Sequence, residues 1–142
     1  MTDEPNSTRD YPLAEKCPDR VTGYRGKSLN ELTIDAVLSG DIEMNDLRIT
    51  PDALVKQAEI SRDAGRAALG LNFERAAEMT RMPEETVMEI YELLRPGRTT
   101  SKERLLSTGR WLRDEFDAPL LAQLVEEAAE VYENRGLFLV RY

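Results

Sequence analysis

Apolar residues recur at helical spacing along most of the chain, and the longest such stretch begins at Thr50. Thr50 is an N-cap type residue, and Pro51 follows at the first helical position, where the N–H would be unpaired in any case. The pattern predicts one continuous helix over 51–81, followed by a shorter helix that Pro83 opens and Pro96-Gly97 ends. One face of the long helix is rich in small residues, so a neighbouring backbone could approach it closely. This face comprises Leu54, Ala58, Ser61, Gly65, Ala68 and Asn72.

A shorter helical pattern precedes this stretch. Ser28 and Glu31 match a capping box, and Thr33 offers a second N-cap just inside it. Gly40 is placed to end the helix at the C′ position. The residues that follow, up to Ile49, predict either a turn with one helical turn or a short extended segment. The apolar face of the short helix consists of Ile34, Val37 and Leu38.

Two further helices are predicted towards the C-terminus. The first spans 101–116 and is opened by a capping box of Thr100 and Glu103. The second begins at Asp117, its expected N-cap, and ends before the apolar tail Leu137–Tyr142. We expect this tail either to fold back on the core or to dock on a partner.

The N-terminal part of the chain, 1–27, shows neither helical nor strand periodicity. The first nine residues or so are polar and are expected to be flexible. The rest carries spaced apolar and aromatic residues, which are unusual in a free linker and predict an arm that lies along another surface, on a partner subunit. The alternative is a flexible tail with apolar residues by chance. The apolar anchors are Tyr11, Leu13, Val21 and Tyr24.

These patterns together predict an all-α fold, a helical bundle of about four main helices with an extended irregular N-terminal arm. We expect residues 1–27 to form the arm and residues 28–142 to form the helical domain with its apolar C-terminal tail. The length of 142 residues suits one modest core.

Charge and cysteine usage narrow the classes of partner and compartment. The chain carries 27 acidic and 19 basic residues, a formal charge of −8, which disfavours nucleic acid and anionic membranes as general partners. No apolar run approaches the length needed to span a bilayer. The N-terminus is acidic and polar, unlike a secretory signal, and the single cysteine forms no intrachain disulfide. We therefore expect a cytoplasmic protein.

The chain has no histidine, which removes the commonest general acid or base and the commonest metal ligand. A Cys/His zinc site and a Ser–His–Asp triad are excluded within the chain. The composition therefore argues against independent catalysis, and we predict no catalytic, cofactor-binding or metal-ligating residue here.

Other candidate chemistry has simpler structural interpretations. The carboxylate pairs Glu84–Glu85 and Glu126–Glu127 occupy adjacent helical positions that diverge by about 100°, so we interpret both as solvated helix faces. Cys17 is interpreted as an inert thiol rather than a reactive one. The basic cluster Arg95-Pro96-Gly97-Arg98 favours helix capping over anion binding. The run Asn72-Phe73-Glu74-Arg75 is equally compatible with a docking patch and with an ordinary helix surface.

Short signatures also follow one another in a particular order over about residues 10–135. They are Asp10-Tyr11-Pro12-Leu13-Ala14, Cys17-Pro18, Val37-Leu38-Ser39-Gly40, Arg48-Ile49-Thr50-Pro51, Asn72-Phe73-Glu74-Arg75-Ala76-Ala77-Glu78, Ile90-Tyr91, Leu94-Arg95-Pro96, and Glu127-Ala128-Ala129 with Tyr132. As a series they resemble the small (gamma) subunit of adenosylcobalamin-dependent glycerol and propane-1,2-diol dehydratases.

The resemblance implies a dimer of heterotrimers with large (alpha), medium (beta) and small subunits. It implies that the large subunit is a TIM barrel holding the substrate and that adenosylcobalamin lies between the large and medium subunits. The adenosyl radical then abstracts a substrate hydrogen, and the product is an aldehyde plus water. The small subunit in such an enzyme is helical, stabilises the large subunit and supplies no catalytic side chain.

The residues that we predict to contact the large subunit come from the arm and from the long helix. Nine residues precede Asp10, whereas the diol dehydratase branch often carries a longer extension linked to bacterial microcompartments. This difference favours the glycerol dehydratase type and disfavours encapsulation through this chain. The alternative function is a stand-alone helical adaptor. The predicted interface residues are Tyr11, Pro12, Leu13, Asn72, Phe73 and Arg75.

Overall fold

The structure, a computed structural model, describes residues 6–138. This part of the chain is helical and contains no strand, which confirms the all-α prediction. The seven α-helices in the described range are α1 (Leu13–Lys16), α2 (Ile34–Leu38), α3 (Pro51–Asp63), α4 (Ala67–Met79), α5 (Glu84–Leu94), α6 (Lys102–Phe116) and α7 (Pro119–Asn134). Short 3₁₀ helices lie at Thr8–Asp10, Pro18–Arg20, Leu29–Glu31 and Met44–Leu47.

The chain divides into two compact units, with the boundary between Thr80 and Arg81. The first unit contains α1 to α4, and the second contains α5 to α7. This boundary falls inside the region 28–142 that the sequence analysis treats as one helical domain.

The prediction of one continuous helix over 51–81 is wrong, because the chain reverses at Gly65. Gly65 has a φ of +75°, which a residue without a Cβ adopts at little cost. Its N–H donates to the carbonyl of Arg62 at 2.9 Å, and the N–H of Arg66 donates to the carbonyl of Ser61 at 2.8 Å. These two bonds form a Schellman motif, which satisfies the last carbonyls of α3. The helical hairpin of this unit is therefore formed by α3 and α4.

The expected close approach of small residues is found between α3 and α4. Gly70 of α4 is buried, and a Cβ added there would lie 3.0 Å from the carbonyl oxygen of Ala58. Leu54, Ala58 and Ser61 are all buried on α3. The α3 half of the predicted face thus packs against α4, whereas Gly65, Ala68 and Asn72 of that face are exposed.

The core of the second unit lies between α6 and α7. Leu105 and Leu112 of α6 and Val125 of α7 are fully buried there. The side chain of Glu126 on α7 lies against Gly109, where an added Cβ would be 2.9 Å from its Cγ. The two C-terminal helices predicted from the sequence, α6 and α7, therefore pack against each other.

Two caps differ from their predicted residues. Ser101, not Thr100, caps α6, because its hydroxyl accepts a hydrogen bond from the N–H of Arg104 at 3.2 Å. Asp117 does not cap the start of α7; it has a φ of +48° and ends α6, and Ala118 takes the N-cap position of α7. An aspartate tolerates the left-handed conformation better than most residues, which explains its place at the reversal.

The beginning of the apolar tail contacts the end of α7. The N–H of Leu137 donates to the carbonyl of Tyr132 at 2.8 Å, and the rings of Phe138 and Tyr132 meet edge-on with centroids 6.1 Å apart. The remainder of the predicted tail, 139–142, lies outside the described residues, as does the start of the predicted flexible segment, 1–5.

Candidate protein interface

The described beginning of the N-terminal arm is bound to α3 of its own chain. The backbone N–H and side-chain amide of Asn6 donate to Glu59 at 2.9 and 2.6 Å. The backbone N–H and hydroxyl of Thr8 donate to Asp63 at 2.7 and 2.8 Å, and these bonds hold the pKa of Asp63 below its ordinary value. Glu59 and Asp63 are four positions apart, so both carboxylates lie on one face of α3. Residues 6–9, part of the segment expected to be flexible, are thus held against α3 through Asn6 and Thr8.

The arm and the α3–α4 hairpin enclose a depression, which we call the arm groove. It contains two of the six predicted interface residues, Tyr11 of the arm and Phe73 of α4. Tyr11 is 55% exposed and Phe73 is half-buried, so both rings keep surface that faces solvent. The arm groove is lined by Thr8, Tyr11, Gln57, Ile60, Ser61, Ala64, Arg66, Leu69 and Phe73.

Pro12 and Leu13 lie beside the arm groove but are less accessible than Tyr11. Leu13 is 6% exposed and belongs to the core of this chain, and Pro12 is half-buried. Both line a neighbouring depression against the start of α3, together with Tyr11. Of the three predicted arm residues, Tyr11 therefore offers the most surface to a partner.

The other predicted interface residues lie close to Phe73 on α4. Asn72 is exposed, and its side-chain oxygen accepts a hydrogen bond from Arg75 at 3.4 Å. Glu74, between them, is paired with Arg62 of α3, and those hydrogen bonds hold the pKa of Glu74 below its ordinary value. Glu74 thus ties the hairpin together, a role that only the three-dimensional pairing reveals.

The apolar face predicted on the short helix, α2, is a second accessible surface, and its exposure does not follow from the spacing. Ile34 and Leu38 are 78% and 79% exposed, and Val37 between them is 49% exposed. These three residues, which we call the α2 face, stand on one side of the helix as the spacing predicts. The confirmed N-cap Thr33 begins the helix, with its hydroxyl accepting from the N–H of Ala36 at 3.2 Å. The sequence feature that could have indicated this surface is the apolar face itself, which lies within a run of acidic residues.

The segment that follows α2 is fixed by a buried carboxylate. Asp46 accepts hydrogen bonds from Nε of Arg25 at 2.8 Å and from the N–H of Glu43 at 2.9 Å. The N–H of Ile42 donates to the carbonyl of Ala36 at 3.0 Å, and Ile42 is buried. The bonds from Arg25 are the main cause that lowers the pKa of Asp46 to about 2. The α2 face is therefore displayed by an ordered segment.

Asp46→Asn is expected to lower the stability of the first unit at pH 7, because Arg25 loses its buried charged partner and keeps only the exposed Glu43. The pKa of Asp46 lies below its ordinary value of 3.8 in the folded chain, so its contribution is complete above about pH 4 and is lost as the pH falls towards 2. The difference in free energy of unfolding between wild type and variant should therefore shrink over that range.

Urea unfolding at several pH values, followed by circular dichroism, measures this difference. Asp19→Asn, at an exposed carboxylate, is the control and should leave the curve unchanged; a constant difference from pH 7 to 2 would contradict the assignment.

The described residues contain neither a group of side chains suited to a metal ion nor a helix that could span a membrane. Over 6–138, no three His, Cys, Asp or Glu side chains are grouped so that they could hold a metal ion. Within the same range, every helix is too short or too polar to cross a membrane. The arm groove and the α2 face are the two surfaces considered further as protein contacts.

Comparisons with known proteins agree with the order of signatures along the chain. The family model described as dehydratase small subunit matches residues 6–138. The chain is 45% identical over 126 residues to the propanediol dehydratase small subunit of Citrobacter freundii, covering 89% of this chain and 73% of the relative. It is 46% identical over 126 residues to the propanediol dehydratase small subunit of Salmonella typhimurium, covering 89% and 72%.

Proposed function

This chain belongs to the dehydratase small-subunit family, and from that membership we propose that it is the small subunit of an adenosylcobalamin-dependent diol dehydratase. The identity of 45–46% to two propanediol dehydratase small subunits carries the proposal. Propane-1,2-diol is accordingly the first substrate to test and glycerol the second, each giving the corresponding aldehyde and water. The names of the two relatives favour propane-1,2-diol over glycerol.

We place the reaction and its cofactor on the large and medium subunits, within a dimer of heterotrimers in the cytoplasm. Adenosylcobalamin, when bound, supplies the radical that starts the dehydration. The present chain has no histidine to offer as a base or a cobalt ligand. Its role is to bind and stabilise the large subunit, as a non-catalytic part of a hydro-lyase.

The arm groove is the surface that we assign to the large subunit. Tyr11 and Phe73 are two accessible aromatic rings in one depression, and aromatic residues are enriched among those that dominate binding energy. The hydrogen bonds between Thr8 and Asp63 hold the arm in place before any partner binds. Such preorganisation reduces the entropy lost on association. Pro12, Asn72 and Arg75 complete the proposed contact, and Leu13 supports the arm from the core of this chain.

Omission of this chain should abolish assembly of an active dehydratase. The three subunits from one genome are co-expressed, purified by size-exclusion chromatography and assayed with adenosylcobalamin for aldehyde formation from propane-1,2-diol and glycerol. We expect co-elution of all three chains and loss of activity when this one is left out. If the chain elutes alone and its omission changes nothing, the stand-alone adaptor becomes the better interpretation.

A further inference from the structure

We propose that the α2 face is a second docking surface, which binds an apolar pocket edged by lysine or arginine on a partner subunit of the dehydratase. The inference rests on the proposed function and adds a contact separate from the arm groove. The α2 face consists of Ile34, Val37 and Leu38, as defined above, and none of these residues lines the arm groove.

The exposure of this face is the first observation. Ile34 and Leu38 are four positions apart, so they stand one turn from each other on α2. At 78% and 79% exposed they contribute little to the core of their own unit. The neighbouring 3₁₀ helix adds Met44 at 73% and Leu47 at 55%, whereas Ile42 between the two elements is 4% exposed and provides the anchor. Accessible apolar residues concentrated in one short segment mark a protein contact.

The rigidity of the segment is the second observation. Thr33 caps α2, and Gly40 ends it with a φ of +80°. Asp46 and the carbonyl of Asp41 both accept hydrogen bonds from Arg25, the second at 2.7 Å. A segment held in this way presents its apolar side chains in a fixed arrangement, which lowers the entropic cost of docking.

The charge around the face identifies the chemistry of the partner. Residues 31–47 include five acidic residues and no lysine or arginine. Lys27 lies 3.1 Å from Asp41 and Arg25 bonds to Asp46, so these two cations offset part of that charge, and the exposed Arg48 follows the segment. Residues 25–48 nevertheless hold five acidic and three basic residues and stay net negative. Asp35 is exposed on α2 itself, beside Ile34. An apolar face with an acidic surround is complementary to an apolar pocket with a basic edge.

The same charge disfavours the other occupants. A second copy of the chain would bring its own acidic surround against this one, and each copy carries a net charge of −8. A membrane surface with anionic headgroups would be repelled by the net negative charge of this segment. A partner subunit is the remaining occupant that both the apolar side chains and the carboxylates fit.

The test is a competition between the wild-type chain and a variant for incorporation into the assembled enzyme. Wild-type chain and the double variant Ile34→Asp/Leu38→Asp are co-expressed with the large and medium subunits, and intact-mass spectrometry measures their ratio in the purified complex. We expect the variant to be depleted roughly 30-fold. The isolated variant should keep the wild-type melting temperature, because both replaced side chains are about four-fifths exposed. Met88→Asp, which adds one charge at a 52% exposed position on α5, is the control and should compete equally with wild type.

A second variant tests the charge. Asp35→Lys should be depleted several-fold when the complex forms at low salt, and high salt should remove that difference.

Equal incorporation of wild type and the double variant would overturn this inference, as would an equal depletion of Met88→Asp. Self-association of the wild type that the double variant abolishes, or binding of the wild type to phosphatidylglycerol vesicles, would overturn the choice of partner. Absence of even the wild type from the complex would instead refute the proposed function.

Discussion

Leu112→Ala is expected to lower the free energy of unfolding of the second unit by about 3 kcal/mol. Leu112 is 0% exposed, and it lies in the α6–α7 core with Leu105 and Val125. The Glu126 side chain of α7 already fills the space beside Gly109 of α6, where an added Cβ would lie 2.9 Å from its Cγ. The two helices have little room to close over the lost carbons, so most of the cavity should persist. Urea unfolding of the isolated chain, followed by the fluorescence of its one tryptophan, measures the loss.

The tryptophan is well placed for this measurement, because Trp111 is next to Leu112 in sequence and meets the ring of Phe116 edge-on at 5.0 Å. Val131→Ala is the matched control, as Val131 stands on α7 and is 42% exposed. It should change the free energy of unfolding by less than about 0.5 kcal/mol. An equal loss in both variants, or none at Leu112, would show that burial at this position does not govern the stability of the unit.

The helices of the second unit could be predicted well from the sequence, because their signals are local. The apolar spacing over 101–116 and the proline at position 119 gave the approximate bounds of α6 and α7. The long helix failed at Gly65 for a physical reason. A glycine in a helical pattern is compatible both with a small-residue packing face and with a C′ cap, and periodicity continues across the cap. The hydrogen bond from the N–H of Arg66 to the carbonyl of Ser61 shows that Gly65 is the C′ cap of α3.

Hydrophobic periodicity does not show which other elements cover a helix. The faces of α2 and α3 have the same kind of spacing, yet Leu54 and Ala58 are buried and Leu38 is 79% exposed. Spacing specifies which side chains share a face but not whether another element covers it. The difference arises because α4 packs on α3, whereas α2 is only five residues long and remains accessible.

The arm groove likewise depends on contacts between residues far apart in sequence. Tyr11 and Phe73 were each selected from the sequence, but nothing in it places the two rings in one depression. The structure does so through Glu59 and Asp63, whose carboxylates accept hydrogen bonds from the arm. Both carboxylates look like ordinary solvated positions of α3 until the arm is in place. Tertiary hydrogen bonding, rather than propensity, positions this candidate interface.

Phe73→Ala is expected to weaken association with the large subunit roughly tenfold to thirtyfold. The ring is half-buried in the arm groove, so the part facing solvent is free to pack against a partner, and its truncation removes that apolar area. Dissociation of the purified holoenzyme on dilution, followed by mass photometry at a temperature well below the melting point of the variant, measures the change. Activity per assembled complex should stay constant, since we assign Phe73 no catalytic role.

Tyr91→Ala is the matched control, because Tyr91 is an aromatic side chain of α5 that is 59% exposed. It should leave the dissociation curve unchanged. A double-mutant cycle with Tyr11→Ala gives a sharper result. If the two rings meet the same feature of the partner, the double variant should lose less than the sum of the single losses, because either truncation already disrupts the shared contact. Strictly additive losses would place the two rings in separate contacts, and an unchanged dissociation curve for Phe73→Ala would remove the arm groove from the interface.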